Sequence, residues 1–397
     1  MTALAIVLTV LACLTGLVWA SRHRMISRQR QGFVLTEDYG TAEGAWPRIS
    51  VAVAAKDEQD NIESCVRTML GQDYPDFEMV VINDRSTDAT AEIVERIAAE
   101  DGRLRLMDIT DLPAGWCGKT NAMQHGVAEA DGEWICMIDA DCRQQSARTL
   151  RAAMRYALDT GADLLSVLPN LEVRTFWENV VQPVCGGVMM IWFHPDKVND
   201  PRRPHAYANG AFMLMRRSAY ERVGTHEAVK DQVNEDMHLA ALTKAAGLSL
   251  RVVTNQGLYQ VRMYTSLRQI VQGWSRIFYG TFGTLRRVCI SLAVLVTMGL
   301  VPYAAAVFGA VAVSAGAAPA GLLTACAIAG AVAAAMQLSV AYRFYPLTGA
   351  KASMAWTYAM GCLIGSLALI LALGKLRPGA RLTWRNTTYT RPPSATA

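Results

Sequence analysis

The segment Asp139-Ala140-Asp141 contains two carboxylates, one residue apart, whose type and spacing suit a metal ion. It directly follows the apolar run Trp134–Ile138. Two carboxylates at a strand end can share a hard divalent ion such as Mg²⁺ or Mn²⁺ with a diphosphate, because these cations prefer oxygen ligands. The ion offsets charge that builds on a departing nucleoside diphosphate. We therefore expect Asp139 and Asp141 to bind a metal, although the same pattern also occurs in solvated turns.

A second acidic motif, Glu235-Asp236, stands at the start of a helical pattern that covers residues 237–246. A carboxylate at a helix start can act as a cap, since the positive end of the helix dipole lies there. It can also act as the general base that takes a proton from an attacking hydroxyl group. The residue types alone leave both interpretations open for Asp236.

Two further polar side chains fit nucleoside or phosphate binding. Asp84 lies in the run Asn83–Asp88, where Ser86 or Asp88 can cap the following helix. Asp84 is not needed for capping, so a nucleotide contact is the favoured interpretation. Lys119 lies near a predicted helix start, where it can meet a phosphate or can simply be a solvated lysine.

The elements that position these residues alternate between strand and helix. Four short apolar or β-branched runs cover residues 48–54, 77–82, 104–109 and 134–138, with helical patterns between them. This order predicts a doubly wound, mostly parallel α/β sheet. Ligands of such sheets bind beyond the carboxyl ends of the strands, where we expect Asp57, Asp84 and Asp139. The glycine-rich loops of dinucleotide and P-loop sites are missing, which argues against a dehydrogenase or an ATPase.

Composition narrows the class of partner. The formal net charge is +4 and no dense block of Lys and Arg is present, so nucleic acid is not an expected partner. The nine cysteines are scattered without a CxxC pair, which indicates free thiols in a reducing compartment.

Four apolar runs approach or exceed the length needed to cross a bilayer as a helix. They cover residues 3–20, 288–313, 317–341 and 353–374. The first has no basic residue before it and several arginines after it, which favours an uncleaved anchor over a signal peptide. Basic residues that flank a membrane span usually lie on the cytoplasmic side. We therefore expect an integral protein of a bacterial-type inner (cell) membrane whose catalytic domain is cytoplasmic.

The charge of the C-terminal region conflicts with four crossings. A chain that starts outside and crosses four times leaves its C-terminal tail outside. That tail carries Lys375, Arg377, Arg381 and Arg385, which favour the cytoplasm. The loop that carries Arg343 and Lys351 also favours the cytoplasm. Either one run is re-entrant or split near Pro302, or the tail is external.

Two interrupted apolar segments lie outside those four runs. Residues 269–285 combine aromatic and basic side chains, including Trp274 and Arg276, and predict a helix in the membrane interface. Both side chains can also cover an active site from that position. Residues 176–193 contain Pro183 and two glycines, so we expect a second interfacial helix or a core segment there.

Together these motifs resemble the inverting glycosyltransferases of family two, which have the GT-A fold. Within the family, the chain looks like the membrane-bound branch with hopanoid-associated, ceramide and carotenoid glycosyltransferases. The resemblance covers roughly residues 49–285. It depends on Ala55-Lys56-Asp57-Glu58, Asn83–Asp88, Gly118-Lys119, Asp139-Ala140-Asp141, Asn209-Gly210-Ala211 and Glu235-Asp236.

The resemblance implies a role for each group of residues. The nucleotide-sugar is expected to contact Ala54, Lys56, Glu58, Asp84, Lys119 and Asp139. Asp139 and Asp141 are the implied ligands of Mg²⁺ or Mn²⁺, and Asp236 is the implied general base. The implied acceptor side consists of Asn209, Gly210, Gln272, Trp274 and Arg276. Many relatives have Gln-x-x-Arg-Trp at the last motif, whereas Trp precedes Arg here, which weakens the analogy to processive polysaccharide synthases.

The predicted organisation has six parts. They are an N-terminal transmembrane anchor (1–21), a basic cytoplasmic linker (22–47), a GT-A domain (48–263), an amphipathic interfacial helix (264–286), about three C-terminal transmembrane helices (287–375) and a basic tail (376–397). The expected reaction is the inverting transfer of a sugar from a nucleotide-sugar, with UDP as the favoured nucleotide, to a hydroxyl of a membrane lipid. The alternatives are a polyprenyl-phosphate sugar synthase, a processive polysaccharide synthase, and a non-enzymatic membrane scaffold with a degenerate glycosyltransferase fold.

Overall fold

The computed structural model describes residues 1–28, 33–40, 44, 46–377, 381–384 and 387–390. Its helices are α1 (Thr2–Arg28), α2 (Ile62–Leu70), α3 (Thr90–Ala98), α4 (Gly118–Ala128), α5 (Thr149–Thr160), α6 (Phe176–Trp192), α7 (Pro195–Val198), α8 (Arg217–Arg222), α9 (Glu235–Ala245), α10 (Leu267–Phe282), α11 (Leu285–Ser314), α12 (Ala320–Phe344) and α13 (Tyr358–Lys375). Short 3₁₀ turns cover Glu37–Gly40, His226–Val229, Tyr345–Thr348 and Ala352–Thr357.

The strands form three sheets. They are β1 (Val34–Thr36), β2 (Ile49–Ala55), β3 (Phe77–Asp84), β4 (Leu104–Ile109), β5 (Trp134–Asp139), β6 (Cys142–Gln144), β7 (Leu164–Leu168), β8 (Asn170–Leu171), β9 (Phe212–Arg216), β10 (Leu250–Gln256), β11 (Tyr259–Val261), β12 (Arg381–Trp384) and β13 (Thr387–Thr390). The main sheet has the order β1-β10-β7-β9-β5-β2-β3-β4, and the smaller ones are β6-β11-β8 and the hairpin β12-β13. In the main sheet β9 is antiparallel to both neighbours, and the other pairs are parallel.

The sheet is buried on both faces, as a parallel sheet covered by helices must be. Alternate residues of β2 point to opposite sides. Val51 and Val53 join the core under α2, α3 and α5, whereas Ala52 joins the core under α4 and α9. The register pairs Ala54 with Asp139, so the carboxyl ends of β2 and β5 meet at one edge. The predicted α/β fold with a mostly parallel sheet is confirmed.

One strand lies where the sequence indicated only a linker. β1 pairs with β10 through Val34 and Thr254, and Leu35 is fully buried. A three-residue strand is too short to show an alternating pattern, so only the structure reveals that residues 34–36 belong to the sheet.

Four helices among the described residues are long and apolar enough to cross a membrane. They cover Thr2–His23, Leu285–Ser314, Ala320–Thr348 and Ala352–Lys375. α11 continues without a break through Pro302, which removes the possibility that this run is split there. α6, α10, α13 and the first half of α11 share one apolar cluster, which we call the membrane-side layer.

Candidate active site

A cleft of about 270 Å³ opens at the carboxyl edge of the main sheet, between the sheet and the membrane-side layer. It is lined by Ala54, Ala55, Lys56, Glu58, Asp84, Cys117, Lys119, Asp139, Ala140, Asp141, Met189, Tyr207, Ala208, Asn209, Gly210, Gln232, Val233, Asn234, Glu235, Asp236, Met237, Met263, Tyr264, Arg276, Ile277 and Thr281. Its sheet-side wall carries most of the acidic and basic groups, and its other wall is mainly aromatic and apolar.

Asp139 and Asp141 lie on the short connection between β5 and β6. The Oδ1 atom of Asp141 is buried without a hydrogen-bond partner in the part of the chain that the structure describes. Burial, together with the nearby Asp139 and Glu58 carboxylates, raises the pKa of Asp141 to about 8, although Lys119 opposes the shift. A buried carboxylate oxygen with no donor, beside two more carboxylates, is an environment that favours a cation.

The described residues alone do not complete a metal site. Among the described residues, no three His, Cys, Asp or Glu side chains are arranged to hold a metal ion together. Mg²⁺ usually binds through one or two carboxylates and takes its other oxygens from substrate phosphates and water. Asp139 and Asp141 therefore fit a cation that arrives with a diphosphate.

Lys119 is the central cation of the cleft. Its Nζ lies 2.5 Å from Oδ1 of Asp139 and 2.7 Å from Oε1 of Glu235. Burial lowers the pKa of Lys119, but Asp139, Glu235 and Asp236 outweigh that effect and hold its pKa well above the usual value. The side chain comes from the first turn of α4, where backbone N–H groups and the helix dipole also favour an anion.

Asp236 is held by the backbone on both of its oxygens. Its Oδ2 accepts a hydrogen bond from the Gly210 N–H at 2.8 Å, and its Oδ1 accepts one from the Met237 N–H at 2.7 Å. Burial and the adjacent Glu235 raise the pKa of Asp236 to about 7, against the opposing effects of Lys119 and the two N–H groups. The carboxylate is thus fixed in orientation, and a pKa raised to about 7 is in the range that suits a general base.

Asp84 and Gly118 fit against each other where β3 and α4 meet the cleft. Asp84 is 4% exposed and accepts a hydrogen bond from Nε of Arg85 at 2.8 Å. A Cβ atom at Gly118 would overlap Oδ2 of Asp84. Arg85 itself has φ = 56°, a left-handed conformation that costs free energy outside glycine. Only glycine at the start of α4 lets the helix approach this carboxylate.

The predicted acidic residue Asp57 does not line the cleft. Its Oδ1 accepts hydrogen bonds from the Thr87 N–H at 2.8 Å and the Thr87 hydroxyl at 3.2 Å. Asp57 therefore ties the loop after β2 to the loop after β3. The neighbouring Lys56 and Glu58 do line the cleft, as does Ala54.

The residues predicted for the acceptor side do not all line the cleft. Asn209, Gly210 and Arg276 line the cleft, but Gln272 and Trp274 do not. Trp274 is 5% exposed because it packs inside the membrane-side layer, where its indole N–H donates to Oε1 of Gln182 at 2.7 Å. Gln272 is exposed one helical turn before Arg276.

Several cleft residues were not predicted from the sequence. Glu235 is 3% exposed and pairs with Lys119, although its position next to Asp236 was a usable signal. Tyr264 packs against Gly273 of α10 and faces the cleft, and Met189 comes from α6. Single aromatic or apolar residues in loops carry no periodic pattern, so only the structure identifies them.

The mostly parallel sheet with an acidic cleft at its carboxyl edge is the GT-A fold of glycosyltransferases. Residues 50–224 match the family described as Glycosyl transferase family 2. The predicted fold is confirmed, and this match agrees with the predicted family resemblance.

Two individual proteins illustrate the similarity. The 4,4'-diaponeurosporenoate glycosyltransferase of Staphylococcus aureus (strain USA300) is 25% identical over 232 residues, which cover 57% of this chain and 60% of that relative. The solved structure of the mannosyltransferase PcManGT from Pyrobaculum calidifontis, in complex with GDP-Man and Mn²⁺, matches with a TM-score of 0.50 and 22% identity. That match covers 91% of this chain and 98% of the other, and it supports the fold.

Proposed function

We propose that this protein is a membrane-bound inverting glycosyltransferase that moves a sugar from a nucleotide-sugar to the hydroxyl group of a membrane lipid. One observation carries the proposal. The cleft combines the Asp139, Asp141 and Lys119 group on the sheet side with Asp236 and an opposite wall that is mainly apolar and aromatic and includes Met189 of α6 and Tyr264. The first wall suits a charged donor, and the second suits a lipid.

The donor end is assigned from charge and position. Ala54, Lys56, Glu58, Asp84 and Asp139 are the proposed contacts of the nucleoside. Lys119 is the proposed partner of the diphosphate, since its ammonium group can exchange a carboxylate for a phosphate oxygen. A divalent cation on Asp139 and Asp141, when bound, supplies the positive charge that stabilises the leaving diphosphate.

Asp236 is the proposed general base. It removes the proton from the lipid hydroxyl, and the oxygen attacks the anomeric carbon from the face opposite the diphosphate. The bond to the diphosphate breaks as the new glycosidic bond forms, so the configuration inverts and the nucleoside diphosphate leaves. Arg276 and Asn209 would then lie beside the acceptor.

The lipid acceptor is supported by the apolar wall and by the relative from Staphylococcus aureus, whose name is that of a carotenoid glycosyltransferase. UDP is the first nucleotide to test. GDP should be included, because the mannosyltransferase of similar fold was solved with GDP-Man. The arginines that follow the apolar run of residues 3–20 support a cytoplasmic catalytic domain at an inner membrane.

The test is a screen of labelled nucleotide-sugars against a membrane lipid extract, with the Asp141→Ala protein as the blank. Transfer of label to a lipid by the wild type alone supports the proposal. Absence of transfer, together with absence of nucleotide-sugar hydrolysis, would favour the non-enzymatic scaffold. A product on polyprenyl phosphate that forms equally well with Asp236→Asn would favour the polyprenyl-phosphate synthase, because a phosphate acceptor needs no base.

A further inference from the structure

The helices α1, α11 and α12 pack side by side and extend beyond the catalytic domain. At the end far from the domain, Ala5 of α1 packs with Ala312 of α11 and Leu323 of α12. Closer to the domain, the Trp19 indole N–H of α1 donates to the Met298 carbonyl, about halfway along α11, at 3.1 Å. The first 20 residues of α1 correspond to about 30 Å, which is the thickness of a bilayer's hydrocarbon core. α1, α11 and α12 can therefore each cross a membrane completely.

α13 begins beside the catalytic domain. Just before it, the Lys351 N–H donates to Oδ1 of Asn179 in α6 at 2.9 Å. Gly349 packs directly against the Leu171 carbonyl of β8, and Gly361 packs against the backbone of α6 at Val180. The chain has thus returned to the domain by the end of α12, and α13 starts from there.

α13 does not follow α11 towards the far side. Gly299 of α11 packs against Cys362 of α13, and Leu295, one turn nearer the domain, packs against Gly365. α13 is therefore antiparallel to α11. From its start to its end, α13 runs towards the first residues of α11, which lie next to α10 and the catalytic domain.

α13 also ends beside the catalytic domain. Nζ of Lys375, its last residue, donates to Oγ of Ser275 in α10 at 2.7 Å. Leu369 and Ala372 are buried in the membrane-side layer together with Phe278 of α10. The start of α13 thus contacts α6 and its end contacts α10. A helix that crosses the bilayer needs its two ends on opposite sides of the membrane.

The charges agree with this arrangement. No Asp or Glu follows Asp236 in the whole chain, so the C-terminal region is purely basic. Basic residues occur at both ends of α13, with Lys351 before it, Lys375 at its last position and Arg377 after it. Residues 1–21 and 288–342, which include the far ends of the three long helices, contain no Lys, Arg, Asp or Glu.

The outer face of α13 has the composition of a lipid contact. Leu363, Leu367, Ile370 and Leu371 are exposed at helical spacings of four, seven and eight residues, so they form one apolar stripe. A stripe with basic residues at its edges fits a leaflet whose lipid headgroups are anionic.

We propose that α13 lies in the leaflet that faces the catalytic domain and does not cross the bilayer. The chain then crosses three times, through α1, α11 and α12, and its C-terminus lies on the same side as the catalytic domain. This arrangement places every basic segment on one side and removes the charge conflict that four crossings create. It is independent of the donor, the acceptor and the proposed reaction.

Cysteine labelling in intact cells tests this topology. Cys13 and Cys289, the exposed native thiols, are first replaced by Ser in the full chain. Single cysteines are then placed at Ala99 on the catalytic domain, at Ala315 between α11 and α12, and at Ala397. A membrane-impermeant maleimide is applied before and after permeabilisation, and the yields are compared.

We expect Ala397→Cys to be labelled under the same condition as Ala99→Cys, and Ala315→Cys under the opposite one. Labelling of Ala397→Cys together with Ala315→Cys would overturn the proposal, because α13 would then cross. If Ala99→Cys and Ala397→Cys are both labelled from outside, the three-crossing topology stands. In that case only the cytoplasmic orientation in the proposed function is wrong.

Discussion

Replacing Asp236 by Asn removes the charge that would accept the acceptor's proton and keeps almost the same side-chain size. The carboxylate is fixed by the Gly210 and Met237 N–H groups at 2.8 and 2.7 Å, so it needs no rearrangement before it acts. General-base catalysis contributes about 10²–10⁴-fold to a rate. That range corresponds to about 2.7–5.4 kcal/mol of activation free energy. We expect single-turnover transfer by Asp236→Asn to slow at least about 100-fold.

Binding separates this role from a structural one. The donor contacts proposed above do not include Asp236, so we expect the affinity for the nucleoside diphosphate to change less than about threefold, measured by titration calorimetry. An amide can replace only one of the two backbone hydrogen bonds, so the melting temperature must be compared as well. Asp231→Asn, an exposed substitution of the same kind in the preceding loop, is the matched control and should keep the wild-type rate.

The pH dependence gives a second measurement on the same residue. The pKa of Asp236 is raised to about 7, mainly by burial, and the base must be deprotonated to act. The wild-type transfer rate should therefore rise as the pH increases through about 7 and then level off, and the residual rate of the variant should lack this rise. If Asp236→Asn retains more than a third of the wild-type rate, or loses nucleotide binding and transfer together, the assignment as base is refuted.

Two other substitutions test parts of the domain. Gly118→Ala should weaken nucleoside diphosphate binding about fivefold or more, because its Cβ displaces Asp84 and overpacking costs about 1–3 kcal/mol. The control Gly102→Ala, whose Cβ meets open space, should bind normally. His226 is buried and bonded to the Tyr220 hydroxyl at 2.7 Å, and burial lowers its pKa from 6.5 to about 3. Between about pH 6.5 and pH 3 this imidazole is protonated in the unfolded state but not in the folded state. The free energy of unfolding therefore decreases as the pH is lowered from 6.5 towards 3, by at most about 1.4 kcal/mol per pH unit. The melting temperature of His226→Gln should decline less steeply between pH 6.5 and 4.5, and equal slopes would contradict the role of His226.

The sequence predicted the parts of the fold that have a strong periodic pattern. The strands around Val51, Val80 and Ile135 are short apolar runs bounded by polar loops, and their alternation with helices indicates a parallel sheet. Because parallel strands end at one edge, Asp84 and Asp139 were placed together without coordinates.

What the sequence did not reveal depends on contacts between distant segments. Trp274 was assigned to the acceptor side from its motif, but its side chain packs against α6 and lies inside the membrane-side layer. The partnership of Lys119 with Glu235 joins α4 to α9, which no local spacing encodes. Likewise, residues 353–374 have the composition of a crossing helix, and only the contacts of Lys351 and Lys375 show where its two ends lie.

The central claim is that carboxylates at the carboxyl edge of the sheet bind a nucleoside diphosphate through a divalent cation. The most direct measurement is the affinity of the purified protein for UDP and for GDP with Mn²⁺ and with a chelator, repeated on Asp141→Ala. Loss of a cation bridge should cost at least about 1.4 kcal/mol, so Mn²⁺ should strengthen the better of the two nucleotides at least tenfold in the wild type. It should have no such effect in the variant. Equal affinity with and without Mn²⁺ in the wild type, for both nucleotides, would contradict the account.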